Sequence, residues 1–156
     1  MYHQSTDKII IDNYLKDIIN EMSEAIYILC IEVEKRGNIA VGSLGTLHFK
    51  KGTYLYVGSG GKNLVARIER HMSDEKKIRW HIDYLLREPY VNISRVYVRK
   101  GSRDDECKTA RSLATGFKGI PGFGSSDCKC PSHLFFAEGN YSAGIDQLGF
   151  HLYWDL

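Results

Sequence analysis

The fold prediction starts from residues 52–71, which read Gly52-Thr53-Tyr54-Leu55-Tyr56-Val57-Gly58-Ser59-Gly60-Gly61-Lys62-Asn63-Leu64-Val65-Ala66-Arg67-Ile68-Glu69-Arg70-His71. The segment begins as a strand with alternate tyrosines, continues as a glycine-rich turn, and ends as a helix that carries arginine and histidine. Residues two apart in a strand share a face, so Tyr54 and Tyr56 point to the same side. The glycines permit close backbone approach, and the helix start attracts anions through its free N–H groups. This order predicts a phenol beside the Arg67 guanidinium, over a phosphate group.

Length and composition indicate a single globular domain. The chain has 156 residues, of which 43% are apolar and 12% aromatic, and this is enough for one hydrophobic core. The net charge is only +2, so a nucleic-acid surface would have to be a local cluster of cations. No apolar run reaches the length of a membrane span, and the N-terminus lacks the apolar core of a signal peptide. We therefore expect a cytoplasmic protein without membrane association.

Periodicity predicts an α+β fold: a small, mainly antiparallel central sheet flanked by helices, because hairpins come first and helices later. Apolar residues at helical spacing over 7–22 predict an N-terminal helix, so residues 1–24 form a helical extension and 25–156 form the main domain. The predicted strands cover 26–33, 39–41, 46–49, 53–58, 91–98, 134–136 and 151–154, of which 39–41 and 46–49 make an extra hairpin. The predicted helices cover 63–72, 76–86 and 104–115.

The strand and helix at 52–71 resemble the second half of the GIY-YIG nuclease signature. In that superfamily Gly-Ile-Tyr lies on one strand, Tyr-Ile-Gly on the next, an Arg on the following helix, and a metal-binding Glu on a later helix. Tyr56-Val57-Gly58 resembles the second motif. The helix after it is matched by Asn63-Leu64, Arg67 and His71.

The rest of the signature is matched with two departures. Ala25-Ile26-Tyr27 resembles the first motif with Ala in place of Gly, and Glu106 is the best match to the metal-binding Glu. The gap between the motifs is about two to three times the usual one and holds the extra hairpin. Segments 80–86 and 122–135 resemble a largely prokaryotic branch of the superfamily. Its domain stands alone or is fused to an endonuclease III-like glycosylase. The resemblance covers about residues 25–138.

The resemblance implies a divalent-metal-dependent DNA endonuclease that acts in DNA repair or processing, in association with a base-excision-repair glycosylase. Tyr56 would be the general base or a phenol that orients water, Arg67 would stabilise phosphoryl charge, and Glu106 would hold Mg²⁺ or Mn²⁺. The cleft would be completed by Tyr27 and His71. An alternative is a non-catalytic nucleic-acid-binding or adaptor domain, which the altered first motif and the modest net charge favour.

A local basic surface is compatible with DNA as a partner under either hypothesis, since cations that neutralise phosphates supply most non-specific affinity. It is formed by the predicted DNA-binding residues Lys62, Arg70, Lys76, Lys77 and Arg79, next to Arg67.

The loop over 119–132 carries a second group of chemically active residues, because Cys128, Cys130 and His133 are close in sequence. Zinc takes such ligands in a tetrahedral set. The fourth ligand would have to come from His81, His71 or Cys107. Because the loop alone lacks it, we predict reduced, metal-free cysteines in a rigid polar loop packed near the helix with His81. A third interpretation makes Cys128 a nucleophile, with His133 or His81 as its base.

Overall fold

The structure is a computed structural model that describes residues 24–156, and its centre is a six-stranded antiparallel sheet. The strands are, in chain order, β1 (Ala25–Val33), β2 (Gly37–Ala40), β3 (Thr46–Phe49), β4 (Gly52–Gly61), β5 (Val91–Lys100), β6 (Lys118–Gly119), β7 (Leu134–Ala137) and β8 (His151–Asp155). Six of them form one sheet in the order β6-β7-β4-β1-β5-β8, and β2 and β3 form a separate two-stranded sheet. All pairings in both sheets are antiparallel.

The described helices are α1 (Leu64–Met72), α2 (His81–Leu86), α3 (Arg103–Leu113) and α4 (Ser142–Gln147), with a single 3₁₀ turn at Gly42–Leu44. The predicted α+β class, the mainly antiparallel sheet and the extra hairpin are confirmed. The predicted helix at 7–22, and with it the helical extension 1–24, lies outside the described residues apart from Glu24. Among the described helices, none combines the length and the apolar character that crossing a membrane requires.

The sheet is buried on both faces, and the strand period separates its side chains into two layers. Tyr27, Leu29 and Ile31 of β1 pack in one core with Tyr54 and Tyr56 of β4. The β1 residues between them, which are Ile26, Ile28 and Cys30, pack on the opposite face. They share a core there with Ala110 and Leu113 of α3. The two tyrosine-bearing strands are direct neighbours, with Tyr27 opposite Gly58 and Leu29 opposite Tyr56. The register therefore brings the two predicted motifs side by side.

Helix α2 is shorter than predicted, since residues 76–80 are not helical. Trp80 is extended, at φ −115° and ψ 161°, and serves as the N-cap residue. The Asp83 carboxylate accepts the backbone N–H groups of Arg79 and Trp80, each at 2.9 Å. A buried carboxylate at the third helical position thus satisfies donors that a longer helix would have bonded internally, and the helix begins at His81.

Candidate functional site

A cleft of about 520 Å³ opens where β1, β4, α1 and α3 meet. It is lined by four of the five predicted catalytic residues, one from each element: Tyr27, Tyr56, Arg67 and Glu106. Its floor is the glycine-rich end of β4, residues 58–61. His71, the fifth predicted residue, does not line the cleft and is only 2% exposed.

The Tyr27 ring occupies space that only glycine leaves free on the neighbouring strand. A methyl group built on Gly58 would overlap the ring and hydroxyl of Tyr27. Gly60 has a similar role at the start of α1, where an added Cβ would lie 2.7 Å from the Cα of Leu64. The glycines of this segment thus serve close packing, which brings the phenol to the cleft and the helix back across the sheet.

Behind the cleft, Tyr27 shares a hydrogen bond with His71. The Tyr27 hydroxyl lies 2.6 Å from His71 Nε2, and either tautomer of the imidazole is compatible with the contact. Burial lowers the pKa of His71 to about 3, to which the nearby Lys76 charge contributes, so the ring is neutral. Its Nδ1 has no hydrogen-bond partner among the described residues. His71 therefore positions Tyr27 instead of facing solvent.

Both phenols are neutral at ordinary pH. Burial raises the pKa of Tyr27, the neighbouring Tyr56 adds to the effect, and Arg67 opposes it. Burial likewise raises the pKa of Tyr56. A neutral phenol offers one O–H donor and acceptor lone pairs. The two tyrosines can therefore orient a water molecule or an oxyanion, and neither is pre-ionised as a base.

Arg67 is held by an aromatic platform that the sequence analysis missed. Its guanidinium carbon lies 4.6 Å from the centroid of the Trp80 ring, and its Nη1 donates to the carbonyl of Ser59 at 3.3 Å. Arg70 packs on the same ring, with its guanidinium carbon at 4.2 Å from the centroid. The ring holds the guanidinium at the cleft, where the N–H groups not used by Ser59 can donate to an anion. The sequence does carry a signal for this contact, which is a tryptophan among charged residues just before the start of a helix.

Glu106 enters the cleft from the first turn of α3. Ser102 and Asp105 form a capping box there, with the Asp105 carboxylate 2.8 Å from the Ser102 N–H. Burial raises the pKa of Glu106 to about 7; Arg103 opposes this and the Asp127 charge adds to it. Asp127 and Arg103 form an ion pair at 2.6 Å on the exposed rim. A partly buried carboxylate with a second one nearby is the kind of oxygen donor set that Mg²⁺ and Mn²⁺ accept.

The predicted basic surface divides into two groups. Lys62 and Arg79 are exposed and line the cleft, and Lys77 is exposed but lies outside it. Arg70 instead forms a bidentate ion pair with the fully buried Asp83, at 3.0 and 2.9 Å.

Lys76 belongs with Arg70, because its Nζ donates to the last carbonyls of α1, at 2.7 Å to His71 and 3.3 Å to Arg70. Neither residue lines the cleft, and their assignment to DNA binding stays a prediction. Their donors are taken up by the protein, where they fasten α1 to α2 and to the segment between them.

Cys107, Cys128, Cys130 and His133 form a compact cluster whose ligand atoms all lie within 4.8 Å of one another. The Sγ of Cys128 lies 3.4 Å from Nε2 of His133. Cys107, from α3, supplies the member that the loop itself lacked. All four cysteines of the chain are free thiols.

His81 does not belong to this cluster. Its Nδ1 accepts the backbone N–H of Gly124 at 3.0 Å, and its ring lies 5.7 Å from that of Phe123. The loop therefore packs against α2 through His81, as predicted from the sequence. The inclusion of His81 among the zinc-ligand candidates is corrected, since its acceptor nitrogen is used by the loop backbone.

Together, the sheet and the cleft define a small antiparallel α+β domain with a polar, cation-rimmed cleft. The chain belongs to the family described as domain of unknown function DUF123, whose model matches residues 26–148. Comparisons with proteins of curated function and with solved structures found no match.

Proposed function

We propose that the protein is a divalent-metal-dependent endonuclease of the GIY-YIG type, which hydrolyses phosphodiester bonds in DNA. The observation that carries the proposal is the convergence of Tyr27, Tyr56, Arg67 and Glu106 on one cleft. These residues come from four elements that span the 80 positions from Tyr27 to Glu106. Core packing accounts for the two phenols, but it gives no reason for a guanidinium and a carboxylate from two different helices to meet them at the edge of the sheet.

Each group has a role that its surroundings support. The Arg67 guanidinium, stacked on Trp80, would bind the phosphoryl oxygens and stabilise the charge that develops on them. The phenols of Tyr27 and Tyr56 are neutral and would orient the attacking water by hydrogen bonds. His71 would hold the Tyr27 hydroxyl in place through their 2.6 Å contact.

Glu106 is the residue that would hold the cation, with Asp127 as the neighbouring carboxylate. A bound Mg²⁺ or Mn²⁺ would supply charge stabilisation to the phosphoryl group and increase the acidity of a bound water. Lys62 and Arg79 on the rim would contact the flanking phosphates and contribute a salt-dependent share of DNA affinity. Association with a base-excision-repair glycosylase and a cytoplasmic location remain part of the proposal.

The test is nicking of supercoiled plasmid in Mg²⁺ or Mn²⁺ by wild type, Arg67→Ala and Glu106→Gln. We expect each variant to lose on the order of 10²–10³ in rate, as for removal of one group that stabilises the transition state. Glu106→Gln should bind DNA as wild type does, whereas Arg67→Ala should bind more weakly.

Two matched controls lie on α3, where Arg111 and Asp104 are exposed and do not line the cleft. Arg111→Ala and Asp104→Asn should nick at the wild-type rate. Nicking at equal rates by all five proteins would contradict the assignment and point to a contaminating nuclease. DNA binding that Arg67→Ala weakens, with no nicking of plasmid, branched or damaged DNA in either metal, would instead establish the binding or adaptor function.

A further inference from the structure

We propose that Cys107, Cys128, Cys130 and His133 bind one structural Zn²⁺ ion, which fastens the wall of the cleft and replaces the metal-free loop predicted from the sequence. The inference does not depend on the proposed nuclease activity, because it rests on the donor atoms alone.

The spacing of the donors suits a tetrahedral ion. Zinc–sulfur bonds of about 2.3 Å and zinc–nitrogen bonds of about 2.0–2.1 Å give tetrahedron edges of about 3.5–3.8 Å. Cys128 Sγ and His133 Nε2 lie 3.4 Å apart, and no two donor atoms of the set are more than 4.8 Å apart. Small side-chain rotations therefore bring all four donors onto one ion.

The His133 ring is already oriented as a zinc ligand requires. Its Nδ1 lies 3.2 Å from the carbonyl oxygen of Val57, and a carbonyl can only accept, so Nδ1 carries the proton. The lone pair is therefore on Nε2, which faces the thiols. A ligating histidine that donates its other N–H to a backbone carbonyl is the usual arrangement around protein-bound zinc.

The chemistry of the set selects a soft, closed site. Three thiolates and an imidazole favour Zn²⁺ over Mg²⁺ or Mn²⁺, which prefer oxygen. Four protein ligands leave no open position, which is typical of structural zinc and not of catalytic zinc. The set also disfavours Cys128 as a nucleophile, since Cys128 does not line the cleft and its partner His133 is 2% exposed.

The site joins three segments that build the cleft. Cys107 directly follows Glu106 on α3, and Cys128 directly follows Asp127 in the loop. The His133 ring donates a hydrogen bond to the carbonyl of Val57, which is next to Tyr56 on β4. A bound ion would thus set the separation of Glu106 and Asp127 from the tyrosine strand. None of the four proposed ligands is itself among the residues that line the cleft.

The first experiment is native mass spectrometry with elemental analysis of the full chain, purified without a metal-binding tag or added metal. We expect one zinc per chain. After removal with a chelator and addition of Co²⁺, thiolate-to-cobalt charge-transfer bands and the visible bands of tetrahedral cobalt should appear. Cys107→Ser and Cys130→Ser should lose stoichiometric zinc and weaken the charge-transfer bands.

The controls replace a cysteine and a histidine outside the cluster. Cys30→Ser and His81→Ala should both keep one zinc per chain, because Cys30 lies in the sheet core and His81 is bonded to Gly124. If the ligand variants do not fold, the wild-type stoichiometry and the cobalt spectrum still decide the matter. Folded wild type without zinc and without cobalt charge-transfer bands would overturn the proposal, as would rapid alkylation of Cys128 in folded protein without chelator.

Discussion

Replacing His71 by glutamine should remove a specific part of the acid sensitivity of folding. Burial is the main reason that the pKa of His71 falls from 6.5 to about 3 in the folded chain. The charges of Lys76, Arg70 and Arg67 lower the pKa further, and Asp83 opposes them. The unfolded chain binds a proton at this position below about pH 6.5 and the folded chain does not. Stability is therefore fully present above the unfolded pKa and is lost as the pH falls towards 3.

The size of the loss follows from the same pKa shift. Between neutral pH and pH 5 the unfolded state gains about 2 kcal/mol from protonation at this position, at 1.36 kcal/mol per pH unit over about 1.5 units. Urea unfolding at pH 7.5 and pH 5 should show wild type losing about 2 kcal/mol more than His71→Gln. The glutamine amide can still hydrogen-bond Tyr27, so the comparison of slopes is not dominated by a lost contact.

A matched control is His151→Gln, since His151 is exposed and its replacement removes an imidazole without touching the core. It should lose stability on acidification as wild type does. Other groups titrate in both proteins and cancel in the difference. Equal pH dependence in wild type and His71→Gln would refute the argument, because it would mean that His71 takes up its proton in the folded state.

Two further predictions concern the supports of the cleft. Asp83→Asn should lower the free energy of unfolding by about 3 kcal/mol, because it removes the charge of a buried ion pair with Arg70. Asp146→Asn, on the exposed side of α4, should change the free energy of unfolding by less than about 0.5 kcal/mol. Equal urea midpoints for the two variants would contradict the role of the buried pair. Gly58→Ala should lower stability by about 1–3 kcal/mol through its overlap with Tyr27. Gly116→Ala, where an added Cβ meets nothing within 4 Å, should be near neutral, and equal effects of the two alanines would argue against a tight Tyr27 site.

Most of the sheet was predictable because its signal is local. A continuous apolar run located β1, alternating apolar residues located β5, and short runs rich in aromatic residues located β7 and β8, each to within a few positions. The hairpin of β2 and β3 followed from the glycine turn between them. β4 runs three residues beyond its predicted end, to Gly61 opposite Ala25. Glycines are poor strand formers by propensity, and it is pairing with β1 that continues the strand as far as Gly61, whose φ is +53°. α4 has only Ile145 buried, too weak a pattern to predict a helix.

The parts that could not be predicted depend on tertiary contacts. The start of α2 is set by the Asp83 carboxylate, which also binds Arg70 from another helix, so apolar spacing alone extended the helix too far. Cys107 is separated from Cys128 by 20 residues of chain, and no rule of sequence spacing predicts that these two side chains meet. Arg70 and Lys76 looked like free surface cations because their partners are a buried carboxylate and helix-end carbonyls.

The separate β2–β3 sheet has a consequence for how the chain tolerates length between its two motifs. The pairing of Tyr27 with Gly58 closes a chain loop that contains the whole hairpin. Closure entropy grows only with the logarithm of loop length, so tripling the loop costs about 1 kcal/mol. Ile39, Val41 and Phe49 are each at most 2% exposed to solvent, and burying a side chain of this size contributes about 1.5–3 kcal/mol.

The burial of these side chains offsets the closure term, so a hairpin of this length between β1 and β4 does not by itself weaken their pairing. The number of residues between the two tyrosine-bearing strands is consequently not what sets how they pair. The pairing register of β1 with β4 is set by the two strands themselves, while the hairpin forms its own two-stranded sheet and packs its apolar side chains on the same core.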